Sequence, residues 1–222
     1  MTGEASRQRW ARTTGLLYLA TNASATGAFV LTGRLVAPDP ARTAANIAAA
    51  PAMLRIALAG ELVTIAGVLG LIAGLYVLLA PVNRGLALIA LLWRSMENAL
   101  LAAITLMSFA ALAILARGGD AGLAFALLNV HGYGFQLGFL FLGLGSTLFS
   151  WLWLKSRFIP AWLAALGLFA SALMAAVALA IIVSPAVFRT LGLAYMAPMG
   201  LYEIGLGLWL LVRGVAPAAA EK

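Results

Sequence analysis

The 222-residue chain contains no cysteine, a single histidine (His131) and two lysines (Lys155 and Lys222). Without cysteine the chain has no disulfide, no thiolate nucleophile and no cysteine metal site. One histidine excludes the paired axial ligands of a diheme cytochrome and the histidine cluster of an intramembrane zinc hydrolase. Neither lysine lies inside a hydrophobic run, which excludes a retinal Schiff base. Charged residues are equally scarce, at 9% against about 25% in soluble domains. Polar stretches reach about twenty residues at most, too short for a separate soluble domain. No phosphate loop or dinucleotide fingerprint is present, and no serine has a plausible histidine and acid pair.

What is present is apolar: 64% of residues are hydrophobic and the mean hydropathy is +1.04. Such a chain faces lipid. A hydrocarbon core about 30 Å thick needs about 20 helical residues to cross it. Six runs meet that length, near 14–34, 54–80, 86–115, 128–154, 160–183 and 193–212. The expected fold is an all-α membrane protein, a bundle of six transmembrane helices. Backbone groups in lipid must be satisfied within each segment, and the alternating ten-residue strands of a barrel are missing. The breaks carry turn residues: Pro38-Asp39-Pro40, Pro81-Val82-Asn83-Arg84-Gly85, Arg117-Gly118-Gly119-Asp120, Ser156 to Pro160, and Ser184-Pro185. Residues 1–13 then form an N-terminal tail, 14–213 the membrane domain with an outer loop at 35–53, and 214–222 a C-terminal tail.

An even number of spans puts both tails on one side. That side carries Arg7, Arg9, Arg12, Arg84, Lys155, Arg157, Arg213 and Lys222, against Arg34, Arg42, Arg55, Arg117 and Arg189 opposite. The excess of basic residues predicts cytoplasmic termini. The net charge of +7 is therefore read as contact with anionic lipid headgroups, not with nucleic acid. Trp151, Trp153 and Trp162 bracket the basic turn between spans four and five, and Trp209 lies near the last cytoplasmic end, as interfacial anchors do. The basic start before Leu16-Leu17-Tyr18-Leu19 imitates a secretory signal, but hydrophobicity resumes through Phe29, Val30 and Leu31, so a retained first helix is expected. In the outer loop, Pro40 to Ile47 after Asp39 reads as a short surface helix with Asp39 as its N-cap.

Ionisable groups at helix centres cost roughly 2.5 to 3.5 kcal/mol each on insertion scales, so they face a partner or a wet cavity. Four such groups occur: Glu61 in span two, Arg94 and Glu97 in span three, and Glu203 in span six. Arg94 and Glu97 are three apart and share a helix face, so they can pair without another helix. Asn98, Thr105 and Ser108 extend that face, which predicts that span three looks inward. Three acids, Glu61, Glu97 and Glu203, then share one central base, Arg94. His131 stands near the outer end of span four, with Asn129, Tyr133 and Gln136 around it. The candidate ligand or proton-binding residues are accordingly Glu61, Arg94, Glu97, Asn98, Glu203, His131 and Gln136. The same charges would also serve as an internal network that joins helices.

Several segments together resemble one bacterial membrane family, domain of unknown function 4386 (DUF4386). They are Gly15-Leu16-Leu17-Tyr18-Leu19, Thr43-Ala44-Ala45-Asn46-Ile47, Leu54-Arg55, Leu75-Tyr76-Val77-Leu78-Leu79 with Pro81-Val82-Asn83-Arg84, Arg94-Ser95-Met96-Glu97, Gly134-Phe135-Gln136-Leu137-Gly138, and Glu203 followed by Leu208-Trp209-Leu210-Leu211. The resemblance covers nearly the whole chain. It implies six helices and a multi-pass place in the bacterial cytoplasmic (inner) membrane, and it brings no activity with it.

The leading expectation is a membrane protein that binds or translocates a small solute through a polar pocket in the bundle. The alternative is a non-transporting accessory or assembly subunit of a membrane complex. An intramembrane enzyme fits less well, since the usual nucleophiles and metal clusters are missing. No cofactor is expected. The expected partners are membrane lipids, a small-molecule ligand, and a homo- or hetero-oligomer.

Overall fold

The computed structural model describes residues 3–216, and every regular element among them is helical. Residues 217–222 of the expected C-terminal tail, including Lys222, lie outside the described residues. The elements are α1 (Gly3–Leu35), α2 (Pro40–Ala49), α3 (Pro51–Leu79), α4 (Arg84–Ala116), α5 (Ala121–Ser156), α6 (Ala161–Val183), α7 (Ala186–Leu191), a 3-10 turn at Ala194–Met196, and α8 (Ala197–Val212).

Five segments are long and apolar enough to cross a bilayer: α3, α4, α5, α6, and the continuous stretch Ala194–Val212 that ends in α8. This makes the chain a multi-pass membrane protein. Helix α1 has the length, at 33 residues, but its hydropathy is diluted by Thr13, Thr14, Thr21, Asn22, Ser24 and Thr26. Two of those hydroxyls are turned back onto their own helix. Thr14 donates to the Trp10 carbonyl at 2.8 Å and Thr21 to the Leu17 carbonyl at 2.7 Å, which satisfies them without water.

The long helices form a closed ring. Helix α1 packs on α3, α3 on α4, α4 on α5, α5 on α6, α6 on α8, and α8 on α1. The seam between first and last helices closes at Gly15, where an added Cβ would lie 2.5 Å from the Leu211 backbone nitrogen. Only a glycine lets the two backbones approach so closely. The ring is polar inside and apolar outside. On α4, Arg94, Glu97, Asn98, Thr105 and Ser108 are buried, whereas Leu92, Met96, Leu106 and Phe109 are exposed. Such reversed patterning is what a lipid solvent selects, since charges placed outward would lose their hydration.

The described ends of the chain meet at one face of the ring. Gln8 donates to the Val215 carbonyl at 2.6 Å and accepts from the Val215 amide at 3.1 Å. The Ala216 amide donates to the Phe158 carbonyl at 2.9 Å, and the Arg7 guanidinium lies 4.5 Å from the Phe158 ring centre. The α5–α6 turn and both chain ends are thereby joined.

The opposite face carries α2. Asp39 caps it by accepting from the Arg42 amide at 2.9 Å, with Pro40 in the first turn, as the sequence pattern predicts. Its Thr43 and Ile47 point down, and Ile47 joins Leu35, Leu54, Leu58, Ala111, Leu112 and Leu128 in an apolar layer. Helix α5 begins at Ala121, earlier than the expected 128, because Asp120 caps it by accepting from the Leu123 amide at 2.6 Å. The six-residue helix α7 was not anticipated by hydrophobic periodicity, being too short to carry one.

Candidate functional site

The polar residues inside the ring separate into two clusters, one nearer each face. The first sits nearer the chain termini. Arg94 lies ten residues into α4 and Tyr202 ten residues before the end of α8, each about 15 Å along its helix at 1.5 Å per residue. The spacing of three between Arg94 and Glu97 brings Nη1 within 2.7 Å of Glu97 Oε2, with both side chains almost fully buried. The two atoms touch without the alignment of a hydrogen bond. Arg94 Nε, Arg94 Nη1 and Glu97 Oε2 all lack a hydrogen-bond partner among the described residues.

The neighbouring helices complete this cluster. From α1, the Asn22 amide donates to Glu203 Oε2 at 3.2 Å and to the Tyr18 carbonyl at 3.0 Å. From α5, the Ser150 hydroxyl donates to Tyr202 Oη at 3.1 Å. Arg94 lies within electrostatic reach of Tyr18, Glu97, Tyr202 and Glu203. Room for the largest of these groups comes from glycine. An added Cβ at Gly145 would lie 2.7 Å from Arg94 Cγ, and one at Gly167 would enter the Tyr202 ring. Asn98 joins the cluster to α3, donating to the Ile65 carbonyl at 3.0 Å while its own carbonyl oxygen is buried without a partner.

The second cluster lies toward the α2 face, about ten residues from the nearer ends of α3, α4 and α5. His131 Nε2 is 3.1 Å from Glu61 Oε2, and the Thr105 hydroxyl donates to the same oxygen at 2.8 Å. The His131 ring packs edge-on against Phe135, with ring centres 5.0 Å apart. Ser108, one turn beyond Thr105, has a buried hydroxyl with no partner.

This arrangement corrects one expectation. Glu61 does not share Arg94 with the other acids, since its carboxylate is held by His131 and Thr105. Arg94 is thus flanked by two acids, Glu97 and Glu203. Nor is Gln136 part of either cluster: it accepts from the Tyr195 hydroxyl at 3.1 Å and ties α5 to the 3-10 turn. Sequence reasoning overlooked Asn22, which lies within the first hydrophobic run. Its spacing of four from Tyr18 was the available signal. No group of three histidine, aspartate or glutamate side chains able to hold a metal occurs among the described residues.

The apolar exterior, the closed helical ring and the charged interior define an all-helical multi-pass membrane protein. The chain belongs to the family described as a domain of unknown function (DUF4386), whose model matches residues 13–214. No curated protein and no solved structure matches it.

Proposed function

We propose that this chain is a six-span protein of the bacterial inner membrane, with cytoplasmic termini, that binds or translocates a small solute through the polar interior of the ring. The ligand groups are Arg94, Glu97 and Asn98 on α4 and Glu203 on α8, with Tyr18 and Asn22 contributed by α1. Glu61 and His131 form a second polar station nearer the outer face.

One observation carries this reading. The Nε–H of the almost fully buried Arg94 guanidinium makes no hydrogen bond, while Nη1 is in ion-pair contact with Glu97, and leaving a buried donor unmet costs about 1–3 kcal/mol or more for a charged group. A ligand with an oxygen acceptor would remove that cost. The sixth span rests on α1. No charged residue falls between Arg12 and Arg34, its outward Leu16, Phe29 and Val30 are exposed, and it occupies a place in the ring beside α3 and α8.

The test is native mass spectrometry of the gently extracted protein. A co-purified small molecule that is lost in Glu203→Gln supports the solute site. A stable heteromer with no bound small molecule instead favours the accessory-subunit reading, in which the buried charges serve only to hold helices together.

A further inference from the structure

The interior cluster around Arg94 has an uneven charge count, and the unevenness names a class of ligand. Arg94 contributes one positive charge, while Glu97 and Glu203 contribute two carboxylates within its reach. The surrounding helices offer nothing to balance the second acid. Helix α6 holds no ionisable residue, α1 holds no charged residue between Arg12 and Arg34, and α5 holds none between His131 and Lys155. The other acid inside the ring, Glu61, is engaged by His131 and Thr105. Arg94 itself is in contact with Glu97. Glu203 is therefore the uncompensated group, and its carboxylate accepts from a neutral amide, that of Asn22.

Glu203 is also reachable. It shares the inward stripe of α8 with Met199, Leu206 and Leu210, all buried, at spacings of four, three and seven. The lipid-facing side of the helix is occupied by Leu201, Ile204 and Leu208. Yet Glu203 is only partly buried, so part of its surface is open to a ligand. In the same cluster the Arg94 Nε–H and the Asn98 carbonyl oxygen lack a hydrogen-bond partner, both in side chains about 3% exposed. These are groups built to meet something polar. An anion on Arg94 would raise the local negative charge further, whereas an ammonium on Glu203 balances the site.

Resting on the solute-site reading above, we infer that the pocket takes a small organic cation: an ammonium group held by Glu203, carried on a molecule whose hydroxyl or other neutral oxygen accepts from Arg94. A free amino alcohol and the ammonium headgroup of phosphatidylethanolamine share that chemistry.

Four probes of similar size separate the charge types: ethanolamine (cation), glycine (zwitterion), glycolate (anion) and ethylene glycol (neutral). Binding is measured by calorimetry on the whole chain in phosphatidylglycerol nanodiscs, which contain no ammonium lipid. Ethanolamine is expected to bind in preference to the other three, and Glu203→Gln to weaken it by about tenfold or more, the effect of losing one charge-assisted hydrogen bond. Glu97→Gln serves as the second variant. It leaves one acid against one base and should erase the preference for the cation over glycine. Adding phosphatidylethanolamine to the discs distinguishes the two sources, because a headgroup ligand competes with ethanolamine and a soluble one does not. Glycolate or glycine binding with ethanolamine silent would overturn the charge assignment while leaving the solute site intact. Ethanolamine binding unchanged in both variants would place it elsewhere and overturn the inference. If none of the probes binds but native mass spectrometry finds a co-purified solute, the inference alone fails, and if neither binds nor co-purifies, both readings fail.

Discussion

His131 Nε2 on α5 lies 3.1 Å from Glu61 Oε2 on α3, although the two residues are 70 positions apart in the chain. Thr105 on α4 donates to the same oxygen, so three helices converge on one carboxylate. Removing one of the two leaves Glu61 held by the other, whereas removing both leaves its carboxylate poorly solvated and without a partner. His131→Leu and Thr105→Val should each lower stability by about 1–2 kcal/mol. Because the two share an acceptor, only the double variant leaves Glu61 without a partner and it should lose more than the sum. Unfolding in mixed detergent micelles measures this, and strict additivity would mean that the three groups do not act together.

The Arg94–Glu97 contact makes a sharper prediction. Breaking a buried pair by removing one partner costs about 3–5 kcal/mol, while replacing both with apolar groups is often close to neutral. Arg94→Leu and Glu97→Leu should therefore each reduce stability by several kcal/mol, and the double change should restore most of it. Leu suits position 94 because the aliphatic stem of Arg94 already packs across Gly145. Equal stability of the two single variants and the double would exclude an energetically important pair.

Much of this fold was legible because lipid imposes a simple rule on composition. The inward face of α4 could be read from Arg94, Glu97, Asn98, Thr105 and Ser108, since spacings of three and four fix a shared face without tertiary information. The Asp39 cap of α2 was legible for the same reason, being local. The partner of Glu61 was not, because pairing between helices depends on their rotation and relative height. A mid-span acid on α3 was equally compatible with Arg94 or His131 until the helices were placed. Asn22 was missed through misattribution: its amide weakens the hydropathy of α1, yet in the ring it faces Glu203. The polar residues that made α1 look least like a span include one that lines the site.

Glycine at position 167 is required by Tyr202. A Cβ there would enter the tyrosine ring and lie 2.7 Å from the Ser150 hydroxyl oxygen, whereas a Cβ at Gly200 meets nothing within 4 Å. Gly167→Ala should destabilise the protein by about 1–3 kcal/mol through overpacking and weaken any ligand held by the neighbouring Glu203. Gly200→Ala should be neutral or stabilising by up to about 1 kcal/mol, the helix-propensity gain. Thermal unfolding of the two variants side by side checks this, and similar losses in both would show that helix flexibility, not the Tyr202 contact, sets the requirement.

The absence of cysteine makes the topology directly measurable, since each engineered thiol is the only one in the chain. Arg42 on α2 and Ser156 at the end of α5 lie at opposite faces of the ring. With six spans and cytoplasmic termini, Arg42→Cys in intact cells reacts with a membrane-impermeant maleimide and Ser156→Cys does so only after lysis. Gly3→Cys at the start of α1 supplies the deciding comparison. If α1 crosses the membrane, position 3 behaves like position 156, protected until lysis. If α1 instead lies along the surface and only five segments cross, position 3 is on the same side as position 42 and reacts with it in intact cells. The two arrangements place Asn22 differently as well: only a crossing α1 can hold its amide at mid-membrane depth against Glu203, so the labelling pattern also decides whether the site is closed on its α1 side.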